Sequence, residues 1–91
     1  MLTFKCKVLF VQDETRDVPI KDKNGVPTQL TKRYRFVTIQ GMARDNELKT
    51  DRPIVVKSMD PTFPIPATGA DFTTPEVKKY EVDNGVPVIN V

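Results

Sequence analysis

Apolar and polar residues alternate at the start of the chain in the pattern of a β-strand. The even positions from Leu2 to Phe10 are all apolar, and the odd positions begin with Thr3, Lys5 and Lys7. A period of two places alternate side chains on opposite faces of a strand, so we expect the even positions to face the core. This segment carries the clearest strand signal in the sequence.

Two Asn-Gly pairs interrupt further strand-like segments and indicate tight turns. Asn24-Gly25 and Asn84-Gly85 are both followed by Val-Pro. Asn-Gly accepts the positive φ values of a type I′ turn between two strands. The sequence therefore predicts a long protruding hairpin at about residues 16–35 and a C-terminal hairpin at about residues 77–91. Residues 76–82 are also compatible with a short helix, because Thr74-Pro75-Glu76 has a capping pattern, but we favour the strand pair.

The apolar face changes within the segment Gln29–Gln40. Tyr34 and Phe36 share one face of an extended chain, whereas Val37 and Ile39 share the other. Such a change indicates either a β-bulge or aromatic side chains that lie outside the core. Both alternatives remain open from the sequence.

The remaining segments favour a small all-β domain. Residues 41–52 are polar and predict a loop or one short helix, residues 53–57 predict a strand, and the proline-rich residues 61–75 predict an irregular loop. Eight prolines spread from Pro19 to Pro87 leave little room for helices. Five short strands in one domain, residues 1–91, fit an oligonucleotide-binding (OB) barrel that covers its own edges.

Composition excludes several classes of function. The chain has 91 residues, no His and a single Cys, so the most common general base and the usual zinc ligand sets are missing. We expect no enzyme, no metal site, no cofactor and no small-molecule substrate. No apolar run approaches the roughly 18–20 residues that span a bilayer, and the first residues do not open a signal peptide. We therefore expect a soluble protein of a reducing compartment, with Cys6 as a buried apolar residue.

Positive charge is concentrated in the predicted hairpin. Residues 16–35 contain six basic and two acidic side chains, a net charge of +4, whereas the rest of the chain carries −2. Cations that follow phosphates and aromatic rings that stack on unpaired bases are the two features used to bind single-stranded nucleic acid. The expected phosphate contacts are Arg16, Lys21, Lys23, Lys32, Arg33 and Arg35, and the expected base contacts are Tyr34, Phe36 and Phe72. A solvated edge that prevents aggregation, with both aromatics in the core, is the alternative interpretation.

Three short segments make the chain resemble the small single-stranded DNA-binding proteins of filamentous bacteriophages. They are the charged hairpin with tip Gly25-Val26-Pro27 followed by Leu30 and Phe36-Val37, the segment Ile65–Gly69 followed by Phe72, and the strand-turn-strand pattern Tyr80–Pro87. In the family, the corresponding segments are the DNA-binding wing, the approach to the dimer-forming hairpin, and the last two strands. Together the segments cover most of the chain, although each one is common in β proteins.

The resemblance implies a five-stranded OB barrel, a two-fold homodimer, and cooperative coating of single-stranded viral DNA without strong sequence specificity. That activity would serve phage DNA replication or packaging in the host bacterial cytoplasm. From the residues alone we expect no membrane partner, and RNA stays open as an alternative ligand. It also implies that Phe36 stacks on bases and that Leu30 is an apolar contact on the wing.

Two positions depart from the family pattern. Family members often carry an aromatic residue after Gly-x-Pro, where this chain has Thr28, and Arg35 stands at a typically apolar position. The missing aromatic removes one stacking platform, which Tyr34 is a candidate to replace, and Arg35 leaves the register of its strand open. A β-rich viral structural or protein-interaction module, without nucleic-acid binding, is the rival prediction from another class.

Overall fold

Residues 2–91 fold into a single sheet of six strands. The structure, a computed structural model, describes residues 2–91, and Met1 lies outside this range. The strands are β1 (Lys5–Lys21), β2 (Pro27–Asp45), β3 (Thr50–Ser58), β4 (Asp71–Thr73), β5 (Lys79–Asp83) and β6 (Val86–Asn90). Their order across the sheet is β4-β1-β2-β3-β6-β5, and only the β3–β6 pair is parallel within residues 2–91.

The all-β prediction is confirmed, and the sheet curls into a half-barrel. There are six strands within residues 2–91 where the sequence predicted five, because β4 forms within the proline-rich segment that was expected to be irregular throughout. The C-terminal segment is the favoured strand pair, with β5 antiparallel to β6. Over the described part of the chain there is no helix with the length and hydropathy needed to cross a bilayer.

The core lies on one face of the curled sheet. Val8, Ile39, Val56 and Ile89 are each essentially inaccessible to solvent and come from β1, β2, β3 and β6. Phe63, from the loop after β3, covers this layer and is 4% exposed. Because the core contains few large side chains, we expect the stability of the fold to depend strongly on each of them.

A bulge in β1 changes which of its residues face the core. Val8 pairs with Gly41 and Phe10 pairs with Gln40, so Leu9 is an extra residue on β1. The prediction that even positions face inward therefore holds for Cys6 and Val8 but is wrong for Phe10, which is exposed; it is also wrong for Leu2, which is exposed and precedes β1. The bulge reverses the alternation, because one inserted residue shifts all following side chains to the other face.

Gly41 allows β1 and β2 to approach closely beside this bulge. A Cβ atom added to Gly41 would lie 2.9 Å from the Cys6 Sγ and 2.9 Å from the Lys7 backbone oxygen. Real Cβ atoms do not come this close to other atoms, so the pairing requires glycine here.

β2 extends well beyond its predicted length. It continues to Asp45, and β3 begins at Thr50, so the expectation of a loop or short helix over residues 41–52 is wrong. The connecting turn is held by Asp45 Oδ1, which accepts hydrogen bonds from the backbone N–H groups of Glu47 and Leu48. An exposed strand pair needs no apolar face, so its residues can be polar. A polar segment is therefore weak evidence for a loop.

The two Asn-Gly turns differ in conformation. Asn84 and Gly85 both have positive φ and join β5 to β6 by the expected two-residue turn. Gly25 has positive φ, but Asn24 belongs to a five-residue connection between β1 and β2. There Asp22 Oδ1 accepts hydrogen bonds from the N–H groups of Asn24 and Val26. These bonds add to two backbone hydrogen bonds of the same turn, from Gly25 N–H to the Asp22 oxygen and from Asp22 N–H to the Val26 oxygen.

The molecule is elongated along the β1–β2 pair. Its radius of gyration is 15.6 Å and its extents are 51 × 25 × 25 Å, whereas a compact chain of this length has a radius of about 12 Å. Residues 19–33 are all exposed. We call the outer part of the β1–β2 pair, Asp13–Val37, the β1–β2 arm.

Candidate nucleic-acid interface

The strand register assigns every side chain of the paired strands in the β1–β2 arm to one of two faces. Directly paired residues of antiparallel strands lie on the same face. Val37 is buried in the core, so its pair with Asp13 lies on the core face, and the next pair, Glu14 with Phe36, lies on the opposite, outer face. The pairing has no irregularity between Thr31 and Gln40 of β2. The aromatics therefore lie outside the core, which is the second of the two alternatives left open by the sequence.

Two cations and two aromatic rings are neighbours on the outer face. Arg16 of β1 pairs with Tyr34 of β2. On the same face of β2, Lys32 lies two residues closer to the turn at the tip of the arm, and Phe36 lies two residues closer to the core. We call these four residues the outer strip. The same face continues through Thr38 to Lys57 of β3. At about 3.4 Å per residue, the distance along β2 from Lys32 to Thr38 is about 20 Å.

Each ring of the outer strip contacts one cation. The Arg16 Cζ lies 5.0 Å from the centroid of the Phe36 ring, and the Lys32 Nζ lies 5.4 Å from the centroid of the Tyr34 ring. Both distances are within the range of cation–π attraction. The two aromatic residues are partly exposed, and a base that stacks on either ring would displace, or share the ring with, the cation that lies over it.

Glu14 partly neutralises the positive charge at the inner end of the outer strip, which is the end at Phe36, closest to the core. Its two carboxylate oxygens accept hydrogen bonds from Arg16 Nε at 2.8 Å and Nη2 at 2.9 Å. These hydrogen bonds lower the pKa of Glu14 and raise the pKa of Arg16. Arg16 is thus held over Phe36 by a carboxylate that an incoming phosphate would have to displace or share.

The other two arginines of the arm lie on the core face. Arg33 pairs across the strands with Asp17, Nε to Oδ1 at 3.1 Å, and Arg35 donates to both oxygens of Asp13 at 2.9 and 3.0 Å. The structure therefore does not bring Arg33 and Arg35 together with Tyr34 and Phe36. Each of these two arginines already has a carboxylate partner.

Arg35 also ties the arm to the loop after β3. Its Nη1 donates hydrogen bonds to the backbone oxygens of Pro61 and Phe63 at 2.9 and 3.0 Å, and its side chain is only 19% exposed. The hydrogen bond from Arg35 lowers the pKa of Asp13. A guanidinium is suited to this position because its fixed donors can satisfy a carboxylate and two carbonyls together.

The remaining predicted contacts lie at the tip or elsewhere. Lys21, Lys23 and Leu30 are exposed near the turn, with Leu30 70% exposed. Phe72 does not belong to the outer strip: it lies on β4, pairs with buried Cys6, and packs edge-to-face against Phe63 with centroids 6.1 Å apart. It is part of the layer of side chains around the core.

Acidic side chains reduce the net charge of the arm to a small value. Residues 13–35 contain six basic and four acidic side chains, a net charge of +2. Each arginine of the arm is ion-paired, whereas Lys21, Lys23 and Lys32 form no ion pair within residues 2–91. Over the same range no three potential metal ligands converge. Free positive charge on the arm is therefore carried by lysines.

The carboxylate partners of the arginines were not predicted from the sequence. Asp13 and Glu14 lie just before the segment chosen for its charge, although Glu14 is only two residues from Arg16 on the same strand. Counting alternation outward from Val37 would have separated Arg33 and Arg35 from the two aromatics. Lys57 was also missed, because only the β2–β3 register brings it to the outer face.

Comparison with known proteins gives no relative. No protein-family model matches the chain, and neither a curated protein nor a solved structure matches it.

Proposed function

We propose that the protein binds single-stranded DNA, without catalysis and without strong sequence specificity. The outer strip carries this proposal, because it presents two partly exposed rings, each with a cation over it, on one continuous face. Stacking of a base on such a ring contributes about 1–3 kcal/mol and tolerates any base. In this proposal Tyr34 and Phe36 contact bases, and Arg16, Lys21, Lys23 and Lys32 contact phosphates.

Further details of the proposal rest on the resemblance to the filamentous phage proteins. We propose an OB-like barrel, cooperative coating of viral DNA during replication or packaging, and action in the host bacterial cytoplasm. The curled half-barrel sheet is compatible with that fold. Leu30 would add an apolar contact near the tip of the arm, since its side chain is exposed.

A homodimer is the proposed assembly. A 91-residue domain buries a small core, and exposed apolar side chains on β5, Tyr80 and Val82, would be covered by a second copy. Sedimentation equilibrium at tens of micromolar should give twice the protomer mass of 10.3 kDa. A mass equal to one protomer would contradict the dimer and leave the DNA-binding proposal standing.

The binding proposal is tested by titrating the protein into fluorescently labelled poly-dT. Duplex DNA and RNA of equal length serve as competitors, at a low and a moderate salt concentration. We expect preference for the single strand and an affinity that falls with salt by a log–log slope of about −0.7 per phosphate contact. Equal affinity for duplex, or an affinity independent of salt, would contradict the proposal.

The alternative function is a viral structural or protein-interaction module. It is favoured by apolar side chains near the tip, because Ile20, Val26 and Leu30 are all exposed there. A protein partner would bury these apolar side chains. Single-stranded nucleic acid would leave most of them exposed to solvent. The alternative predicts no measurable binding to poly-dT at low salt.

A further inference from the structure

A surface cavity adjoins the inner end of the outer strip. Its volume is about 640 Å³, within the range of about 300–1,000 Å³ that is usual for small-molecule sites. The side chains around it include Phe36, Lys57, Ser58, Asp60, Lys78 and Asn90. Phe36 is the member of the outer strip among them, so the cavity extends the same surface onto the body of the domain.

Three strands of the sheet bring these side chains together. Phe36 precedes Val37, which pairs with Ser58 at the end of β3. Lys57 pairs in turn with Asn90 at the end of β6. The backbone N–H of Lys78 donates a hydrogen bond to the Asn90 backbone oxygen at 2.8 Å, which places the residue before β5 at the same end. The cavity is therefore fixed by backbone pairing.

We propose that this cavity holds one nucleotide of the bound single strand, an inference that rests on the proposed function. The base would stack on Phe36, and its phosphate would lie between Lys57 and Lys78. The Asn90 amide, which has both donors and acceptors, can satisfy the polar edge of any base. The bound strand then continues from the arm onto β3 and β6.

The charges around the cavity favour a phosphate. Neither Lys57 nor Lys78 forms an ion pair in the part of the chain that the structure describes. The opposing carboxylate, Asp60, has its Oδ1 engaged by the N–H and hydroxyl of Thr62 at 2.9 and 2.8 Å. Two lysines without an ion pair in residues 2–91 thus line the cavity together with one carboxylate, Asp60, whose Oδ1 is engaged in its own loop.

The test compares two double substitutions that remove the same charge. Lys57→Gln with Lys78→Gln alters the cavity, and Lys5→Gln with Lys49→Gln removes two exposed lysines that do not line it. Affinity for labelled poly-dT is measured over a series of salt concentrations, and urea unfolding verifies that both variants fold. We expect the log–log salt slope of the cavity variant to be smaller by about 1.4, from two lost contacts, and that of the control to be unchanged.

A conservative variant separates charge from side-chain identity. Lys57→Arg with Lys78→Arg keeps both charges and should retain the wild-type slope. If the two glutamine variants behaved alike, the nucleotide site would be wrong while the binding of wild-type protein upheld the proposed function. If wild-type protein bound no single strand, both the proposed function and this site would be wrong.

Discussion

Replacing Phe36 with alanine tests whether the outer strip is a binding surface or part of the core. Phe36 is partly buried on the outer face, beside Arg16, and is not among the residues of the core cluster or those packed against it within residues 2–91. Phe63 is the matched control, since the same substitution there removes a ring from a residue that is 4% exposed.

The two substitutions differ in their expected magnitudes. Full burial of a Phe side chain is worth about 1.5–3 kcal/mol, so Phe36→Ala should lower the free energy of unfolding by about 1–2 kcal/mol. Phe63→Ala should lower it by about 3–5 kcal/mol, because it leaves a cavity. A domain of this length has about 5–14 kcal/mol of stability, so Phe36→Ala stays folded. Loss of one stacked base costs about 1–3 kcal/mol of affinity, a roughly 5- to 150-fold increase in Kd.

Urea unfolding and fluorescence anisotropy with oligo-dT are measured on the same samples. We expect Phe36→Ala to lose affinity with a small change in stability, and Phe63→Ala to lose stability with normal affinity in its folded fraction. The salt slope of Phe36→Ala should stay unchanged, since stacking releases no counterions. A loss of stability equal to that of Phe63→Ala, with normal affinity of the folded fraction, would refute the stacking role.

Two further substitutions test the packing and the ion pairing of the fold. Gly41→Ala should lower the free energy of unfolding by about 1–3 kcal/mol, because its Cβ would meet the Lys7 backbone oxygen; an unchanged urea midpoint would contradict this close approach. The folded-state pKa of Asp13 lies below its ordinary value of 3.8, so its contribution to stability is present above that pH and is lost as the pH falls through the folded-state pKa. In Asp13→Asn the free energy of unfolding should therefore fall less steeply as the pH is lowered into the acid range than it does in the wild-type protein. The same acid dependence in both proteins would show that the pair of Asp13 with Arg35 contributes nothing to stability.

Local sequence signals predicted which segments form strands better than they predicted where each strand ends and which of its residues face the core. Alternation identified β1, and Asn84-Gly85 identified the β5–β6 turn, because both signals act over a few neighbouring residues. The bulge at Leu9 could not be predicted from the sequence, since the apolar run from Val8 to Val11 permits either alternation. Only pairing with β2 decides which of these residues face the core.

The candidate site was predicted in its residue types and only partly in its geometry. Tyr34 and Phe36 stood out because their face differs from that of Val37, and the structure brings them together with Lys32 and Arg16. Which cations are free depends on cross-strand partners many residues away, such as Asp17 for Arg33. Charge counted along a segment cannot reveal such pairs.

The central claim is that single-stranded DNA follows the outer face of the β1–β2 arm. Lys32 and Arg33 are adjacent in sequence, both are exposed, and they lie on opposite faces of β2. The most direct measurement is the salt dependence of poly-dT affinity for Lys32→Ala and Arg33→Ala, each of which removes one positive charge. We predict a log–log slope smaller by about 0.7 for Lys32→Ala and an unchanged slope for Arg33→Ala. Equal slopes for the two variants, or a larger loss for Arg33→Ala, would contradict the claim.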